Sequence, residues 1–467
     1  MRVRLVSITE TAAARAAGAP ALTPEMLASV GARYSRNGEG LDEILALVDR
    51  SDPEKSIDTI FRMVDYGHQS IADMTPVPMF MDGVSLWLIY YLWSVSARAS
   101  GQESSTRYIR FDKVGIVDPE LAGIPEQERA EWHRFIAQAM DHYTEVAGFW
   151  EAESIRDPSL MRLPSALLDA ALKDPTGKEG KQIARLRRNF IFDRARYWIP
   201  SAALSNVMML MSARDWVGLC QNLLSHPVPE ARTLGAMIRD ELALSAPRLL
   251  RHARQTDDWV SGHKATVAQD AHLVAQLPPV MERNLVPAYV DVNFPTHSAI
   301  TNPGSLTDAL AFHPSRYSWT GRELARVQAR YGLDAVAFAE LRDLNRHRTG
   351  YKYCPFVPTG FYGARDEVKA DGTPLDAPIA WGVKAAEKQR ERVGNQDTTH
   401  PYWSLLGTQV PFEHGTTLDK LVYEIEIRTG LGAHYRYAEH MRRVHDRLLA
   451  AHPELAGHIL LGSAEPE

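Results

Sequence analysis

Cysteine is nearly absent from this chain. Cys220 and Cys354 are the only two in 467 residues, too few for a disulfide framework and too far apart in sequence for a thiolate metal site. Long apolar runs are missing too: the longest, Val84 to Ala97, falls short of the ~20 residues that a membrane span needs. There is no surplus of positive charge. With 52 Lys and Arg against 58 Asp and Glu, the formal charge of -6 argues against a general nucleic-acid or membrane-surface binder and leaves room only for local basic patches. Also lacking are a glycine-rich dinucleotide fingerprint, a phosphate loop and a convincing Cys/His pair. Met1 to Glu10 alternates apolar and polar residues like a strand, without the charged-then-apolar layout of a signal peptide, so a cytoplasmic, reducing location is expected.

What is present is an ordinary globular composition, 45% apolar and 24% charged, on a chain longer than one core usually organises; two domains or one composite domain are expected. Arg2 to Thr9 reads as a strand, and Met26 to Tyr34, Leu41 to Val48 and Ile57 to Val64 as helical segments. Gly67-His68-Gln69-Ser70 ends the last of these. Val77 to Met81 reads as a strand before an aromatic helix, Leu86 to Trp93. Glu126 to Trp150 and the arginine-rich Gln182 to Trp198 read as long helices; many arginines ordinarily make a solvated face, and at least one is expected to do more. Ala203 to Leu224 reads as one apolar helix broken at Ser212 to Asp215, and Glu230 to Leu250 as another. Arg251 to Leu277 reads as an irregular join. The pattern then begins again: a strand at Ala288 to Phe294, a helix at Leu333 to Leu344, a polar helix at Trp381 to Val393, and helices at Leu418 to Arg428 and Tyr435 to Leu449. This suggests a duplication with unequal insertions.

Chemistry concentrates at two places. Arg98 to Phe111 sets Glu103, three hydroxyls, Arg107 and Arg110 in a polar loop. Its donors beside a guanidinium are equipment for gripping a phosphate, although a solvated turn with a capping box has the same composition. Asn345 to Gly350 gathers Arg346, His347 and Arg348 at a helix C-terminus, where the dipole favours cations and an anionic cofactor can be closed upon. His434, His440 and His445 with Glu439 lack the one-face spacing of helical zinc sites, so no metal is expected.

These residues resemble the flavin-dependent thymidylate synthases, with the likeness divided between the halves. Gly67-His68-Gln69-Ser70 is similar to that family's Gly-His-x-Ser/Thr, and Glu103-Ser104-Ser105-Thr106-Arg107-Tyr108 to its substrate loop. Arg196 resembles the nucleotide-binding arginine, Ser212-Ala213-Arg214 the flavin-contacting Asn-Ala-Arg, and His226 the late histidine. The family's Arg-His-Arg triplet falls on Val95-Ser96-Ala97, and its late arginine on Leu223 and Leu224. The second half supplies the triplet, Arg346-His347-Arg348, and a late arginine and histidine, Arg428 and His434. It has Tyr351-Lys352-Tyr353 for the substrate loop, Thr417-Leu418-Asp419 for Asn-Ala-Arg, and no Gly-His-x-Ser.

The resemblance implies an α/β (α+β) fold of two thymidylate synthase-like domains, 1–270 and 271–467, each a small mixed sheet with several long helices, packed as a pseudo-dimer. It implies a homodimer that makes a pseudo-tetramer, with one hybrid site per fused pair. The expected reaction is C5 methylation of a pyrimidine nucleotide, dUMP to dTMP, with FAD as cofactor and NADPH and methylenetetrahydrofolate as co-substrates. Arg428 would stabilise charge on the uracil. Glu103, Ser105, Arg107, Arg196 and Arg346 would bind the nucleotide. His68, Ser70, Arg214, His226, His347, Arg348 and His434 would contact flavin. A non-catalytic flavin- or nucleotide-binding homologue, and a methylase of another pyrimidine nucleotide, are the alternatives.

Overall fold

The structure is a computed structural model describing residues 1–36, 38, 40–48, 52–65, 68–111, 113–284, 286–294, 305–368 and 373–463. The chain forms two compact units that interleave in sequence: Met1–Ser104, Gly115–Glu126 and Ala203–Val267 in the first, and Ser105–Val114, Gln127–Ala202 and Ala268–Glu467 in the second. The architecture is mixed helix and sheet, with helix predominating.

The first unit is built on a four-stranded antiparallel sheet: β1 (Arg2–Leu5), β2 (Pro76–Ser85), β3 (Ser100–Glu103) and β4 (Leu204–Ser212), in the order β1-β2-β4-β3. Val77, Met79 and Met81 are buried on alternate positions of β2, as are Val207, Met209 and Met211 on β4. β2 runs without a loop into the aromatic helix Leu86–Val95, and β4 into the helix Ala213–Leu224. A second helix, Pro229–Leu242, folds back on the latter.

The second unit repeats this plan. Its sheet contains β5 (Met281–Glu282), β6 (Ala288–Asn293), β7 (Gln328–Ala337), β8 (Tyr351–Tyr353), β9 (Gly360–Phe361) and β10 (Thr408–Thr417). The order is β5-β9-β10-β7-β6, with β8 also on β10; β5 and β9 are parallel and the other pairs antiparallel. β7 runs directly into the helix Phe338–Leu344, and β10 into Leu418–Thr429, which is followed by Tyr435–Ala451. Pairings recur with the plan: β1 on β2 as β6 on β7, β2 on β4 as β7 on β10, and β3 on β4 as β8 on β10.

The repeat is visible at atomic scale within the second unit. Pro200 and Leu405 form an antiparallel bridge, flanked by Ser201 N–H to Ser404 O and Leu406 N–H to Ile199 O, each 2.9 Å. The two bonds interchange under a shift of 205 residues, from 199 to 404 and from 201 to 406, which is a local two-fold relation. Tyr197-Trp198 and Tyr402-Trp403 precede the paired stretches and are buried alike. The helix Arg129–Arg156 packs on Lys178–Ala195, burying Trp132, Ile136, Ala139, Tyr143, Val146 and Trp150 at alternating steps of four and three.

Three local expectations are corrected. Ala203 to Leu224 is strand up to Ser212 and helix only beyond it, and Leu333 to Leu344 likewise changes from β7 to helix at Phe338. Burial alternates along both strands, but apolar Met208 and Leu210 fill the half-buried positions of β4 and the buried run Ala335 to Ala337 leads from β7 straight into its helix, so each segment reads as one apolar stretch. Arg251 to Leu277 is largely the helix Asp257–Val274, none of whose residues is buried. Without an apolar stripe it gives no periodic signal. Among the described residues no helix is long and apolar enough to cross a membrane.

Candidate functional site

Ser105 opens the part of the polar loop that belongs to the second unit. Its Oγ accepts the Arg107 backbone N–H at 3.2 Å, a local turn that fixes where the Arg107 side chain starts. The guanidinium then forks onto Asp193 near the end of Lys178–Ala195, Nε to Oδ1 at 2.9 Å and Nη2 to Oδ2 at 3.1 Å, while Nη1 donates to the Gly432 carbonyl at 2.9 Å. Burial opposes the Arg107 charge and the Asp193 carboxylate outweighs it.

His434 shares the Asp193 segment. Its Nδ1 accepts the Arg436 N–H at 3.2 Å, capping the final helix, and Nε2 lies 3.3 Å from the Asp193 carbonyl. One nitrogen accepts and the other donates, so the ring is the neutral Nε2–H tautomer. Burial, then the Arg196 and Arg107 charges, pushes its pKa well below the usual value.

Arg196 follows the same helix in a tight turn and is 1% exposed. It stands at ion-pair distance from Glu340 (3.5 Å) and Asp343 (4.0 Å), yet its Nε and Nη2 have no hydrogen-bond partner among the described residues. Burial raises the Glu340 carboxyl to about 7, with Arg196 and the Tyr197 hydroxyl, 2.7 Å away, pulling the other way.

Arg428 comes from the helix Leu418–Thr429. Nε donates to His347 Nε2 at 2.9 Å and Nη2 to the Asp343 carbonyl at 2.7 Å. Arg346 and Arg348, on either side of His347, are half-buried. Asp343 is thus near Arg196 through its carboxylate and holds Arg428 through its backbone. A cleft in the same unit is lined by Arg107, Tyr108, Asn189, Phe190, Arg194 and Tyr435.

The other nominated residues lie in the first unit. Glu103 accepts from Trp93 Nε1 at 3.2 Å. His68 and Ser70 are exposed, while Gly67, part of the same motif, lies outside the described residues. Ser212 caps Ala213–Leu224 by accepting the Asp215 N–H, and Arg214 is drawn to Asp73 at 2.9 Å. His226 accepts the Val228 N–H at 3.1 Å through Nδ1, the same local geometry as His434, and packs against Tyr91 and His263. Burial, then His263, pushes its pKa down to about 3.

The structural repeat places the nominated residues in register. Arg428 stands ten residues after the helix start Leu418, as Leu223 stands ten after Ala213, and Thr417-Leu418 and Ser212-Ala213 occupy matching strand-to-helix turns. Sequence reasoning did not single out Asp193, Glu340, Asp343, Glu424 or His414. A signal existed for Glu340 and Glu424, which sit among apolar residues on helices, where a carboxylate is rarely placed without a partner; Asp193 and Asp343, each beside an arginine in sequence, gave none.

Residues 21–248 match the family model described as thymidylate synthase complementing protein. The chain is also 23% identical over 457 residues to the UPF0159 protein Ta1429 of Thermoplasma acidophilum, an alignment covering 86% of this chain and 88% of that protein. The family match ends before Arg346 and Arg428, whereas the alignment with the relative extends over both halves.

Proposed function

From the match of residues 21–248 to the thymidylate synthase complementing protein family and the alignment of a relative over both halves, we propose that the chain is a member of that family and methylates C5 of a pyrimidine nucleotide, converting dUMP to dTMP, with FAD as cofactor and NADPH and methylenetetrahydrofolate as co-substrates. The observation that carries this reading is Arg428. Its guanidinium is fixed at Nε and Nη2, and Nη1 makes no hydrogen bond among the described residues. A fixed cation with one open edge suits stabilisation of negative charge developing on a ring, because it needs no reorganisation during the reaction.

Ser105, Arg107 and Arg346 would hold the nucleotide phosphate, with Arg196 completing its binding in the same unit; Glu103, nominated with them, belongs to the first unit. Arg107 binds phosphate only by exchanging the Asp193 carboxylate for the ligand, a like-for-like replacement of one bidentate anion by another. Glu340, raised to about 7 beside Arg196, is the acid in this unit best poised to take up a proton near neutrality.

FAD would supply the hydride when bound. The residues nominated for it do not make a cradle within either unit: Arg214 is held by Asp73, His347 accepts from Arg428, and His434 is fully buried. No step is therefore routed through it. This favours the second reading, a nucleotide-binding homologue that does not methylate. Homodimerisation and a cytoplasmic setting belong to the same proposal, and light scattering in solution tests the former.

The purified protein should be yellow, bleach when NADPH is added with dUMP, and form dTMP with methylenetetrahydrofolate. A colourless protein that takes up no FAD defeats the methylation reading. Bound dUMP without product supports the second reading. Growth of a thymidine-requiring bacterium carrying the gene tests the substrate in the cell.

A further inference from the structure

Glu424 is 1% exposed in the middle of the helix Leu418–Thr429, one turn before Arg428, so the two side chains leave the same face. A carboxylate so buried needs its lone pairs answered. The Tyr331 hydroxyl on β7 donates to Oε1 at 2.7 Å, and His414 on β10 lies with Nδ1 2.8 Å from Oε2. Burial pushes the Glu424 carboxyl up, but the interactions with its neighbours, the His414 and Tyr331 bonds among them, hold it below the usual carboxylate range. The second nitrogen of His414, Nε2, is 2.9 Å from the Thr349 carbonyl oxygen. Both nitrogens of His414 therefore face acceptors with no proton to give. Each must carry hydrogen, which makes the ring an imidazolium.

His347 has the opposite role. Arg428 donates from Nε to its Nε2 at 2.9 Å, and Glu424 Oε1 is 3.4 Å from the same atom. A guanidinium has donors only, so Nε2 presents its lone pair and the proton sits on Nδ1. Burial keeps this ring neutral, with its pKa pushed down to about 3. The carboxylate attracts the guanidinium and the imidazole lone pair gives it direction.

We propose that Glu424, held by Tyr331 and His414, and His347 together position Arg428, the carboxylate by attraction one helical turn away and the imidazole by its hydrogen bond, and that they aim Nη1 of Arg428 at the pyrimidine ring. This rests on the reading of Arg428 as the cation facing the nucleotide and extends it to residues outside every motif. His414 is the fixed counter-cation that lets an ionised Glu424 stay buried. Its charge keeps the carboxylate available to Arg428, and its bond to Thr349 ties the group to the segment that follows Arg348.

The test is nitrogen-15 spectroscopy of the histidine and arginine side chains in the full chain at neutral pH. His414 should carry protons on both ring nitrogens and His347 on Nδ1 only. Glu424→Gln should leave His414 neutral. His347→Leu should speed solvent exchange of the Arg428 Nε–H at least about tenfold, while His347→Gln, whose amide oxygen accepts in place of Nε2, should largely restore protection. A neutral His414 in the unsubstituted protein, or an Arg428 Nε–H indifferent to His347→Leu, overturns the proposal. In a dUMP turnover assay His347→Leu and Glu424→Gln should lower kcat by up to about 100-fold with little change in KM, and His347→Gln should recover most of it. Loss without that recovery also overturns it. If Arg428→Ala leaves turnover intact, the reading of Arg428 fails instead, and the side-chain resonances still decide whether the positioning group exists.

Discussion

Arg107 has its whole fork occupied, and the Asp193 carboxylate that occupies it is itself largely buried. Asp193→Asn should therefore cost roughly 3 kcal/mol, because removing one partner leaves the other charge uncompensated. Inorganic phosphate or dUMP should return part of that loss by supplying the missing anion, visible as a rise in the urea midpoint larger than in the unsubstituted protein. No such difference would mean that Arg107 does not exchange its partner. Arg428 is the complementary case, a cation with an edge left open. Arg428→Ala should lower turnover on dUMP roughly 100- to 1000-fold, the loss associated with one donor aimed at developing charge. A single-turnover measurement separates this from an effect on binding.

The strand-to-helix turns after β4 and β10 determine where the nominated residues sit. Ser212 answers one of the orphan N–H groups of its helix, whereas Thr417 makes no such side-chain cap. Ser212→Ala should therefore destabilise the protein by about 1 kcal/mol in chemical denaturation, and Thr417→Ala by less. The turn from the helix Phe338–Leu344 into β8 depends on Gly350. Its φ is +65° and an added Cβ would stand 1.8 Å from the Gly415 carbonyl oxygen. Gly350→Ala combines backbone strain of about 1–3 kcal/mol with a clash against backbone that cannot yield. It should give protein that is insoluble or melts well below the unsubstituted chain.

Across the molecule, histidine burial sets the response to acid. His226 and His347 are pushed down to about 3 and His400 to about 4, burial being the first cause in each, and His434 and His440 fall well below the ordinary value. The unfolded chain binds protons at these rings near pH 6.5 while the folded one does not, so stability is full above that pH and declines below it. Each histidine contributes a slope of about 1.4 kcal/mol per pH unit until its folded pKa is reached. The Glu424 carboxyl, held below its ordinary range, adds a loss that begins only as the pH falls through that range. Melting temperatures from pH 8 to pH 4 should fall from about pH 6.5 downward, ahead of carboxylate titration. A flat profile to pH 5 would show that these rings are protonated in the folded state.

The long amphipathic helices were legible because one face of each is buried and a period near 3.6 survives in the residue order, and the aromatic helix because it is a continuous apolar run, buried on nearly every side. The central strands β4 and β7 were not, since apolar residues also occupy the half-buried face of β4 and the buried end of β7 runs without a break into its helix, which hides the strand boundary. The motifs named Arg107, Arg196, His347, Arg428 and His434 because short segments carry their own residue types. Of their acidic partners, Asp193 and Asp343 were silent and Glu424 showed only as a carboxylate within an apolar helix, since such a group takes its meaning from cations that arrive from distant parts of the chain. By itself the sequence determined a tandem, cysteine-poor protein with cationic motifs divided between its halves. Only the tertiary structure decided which of those cations are neutralised and which keeps an edge open, because ion pairing and hydrogen-bond direction depend on distances that no local spacing encodes.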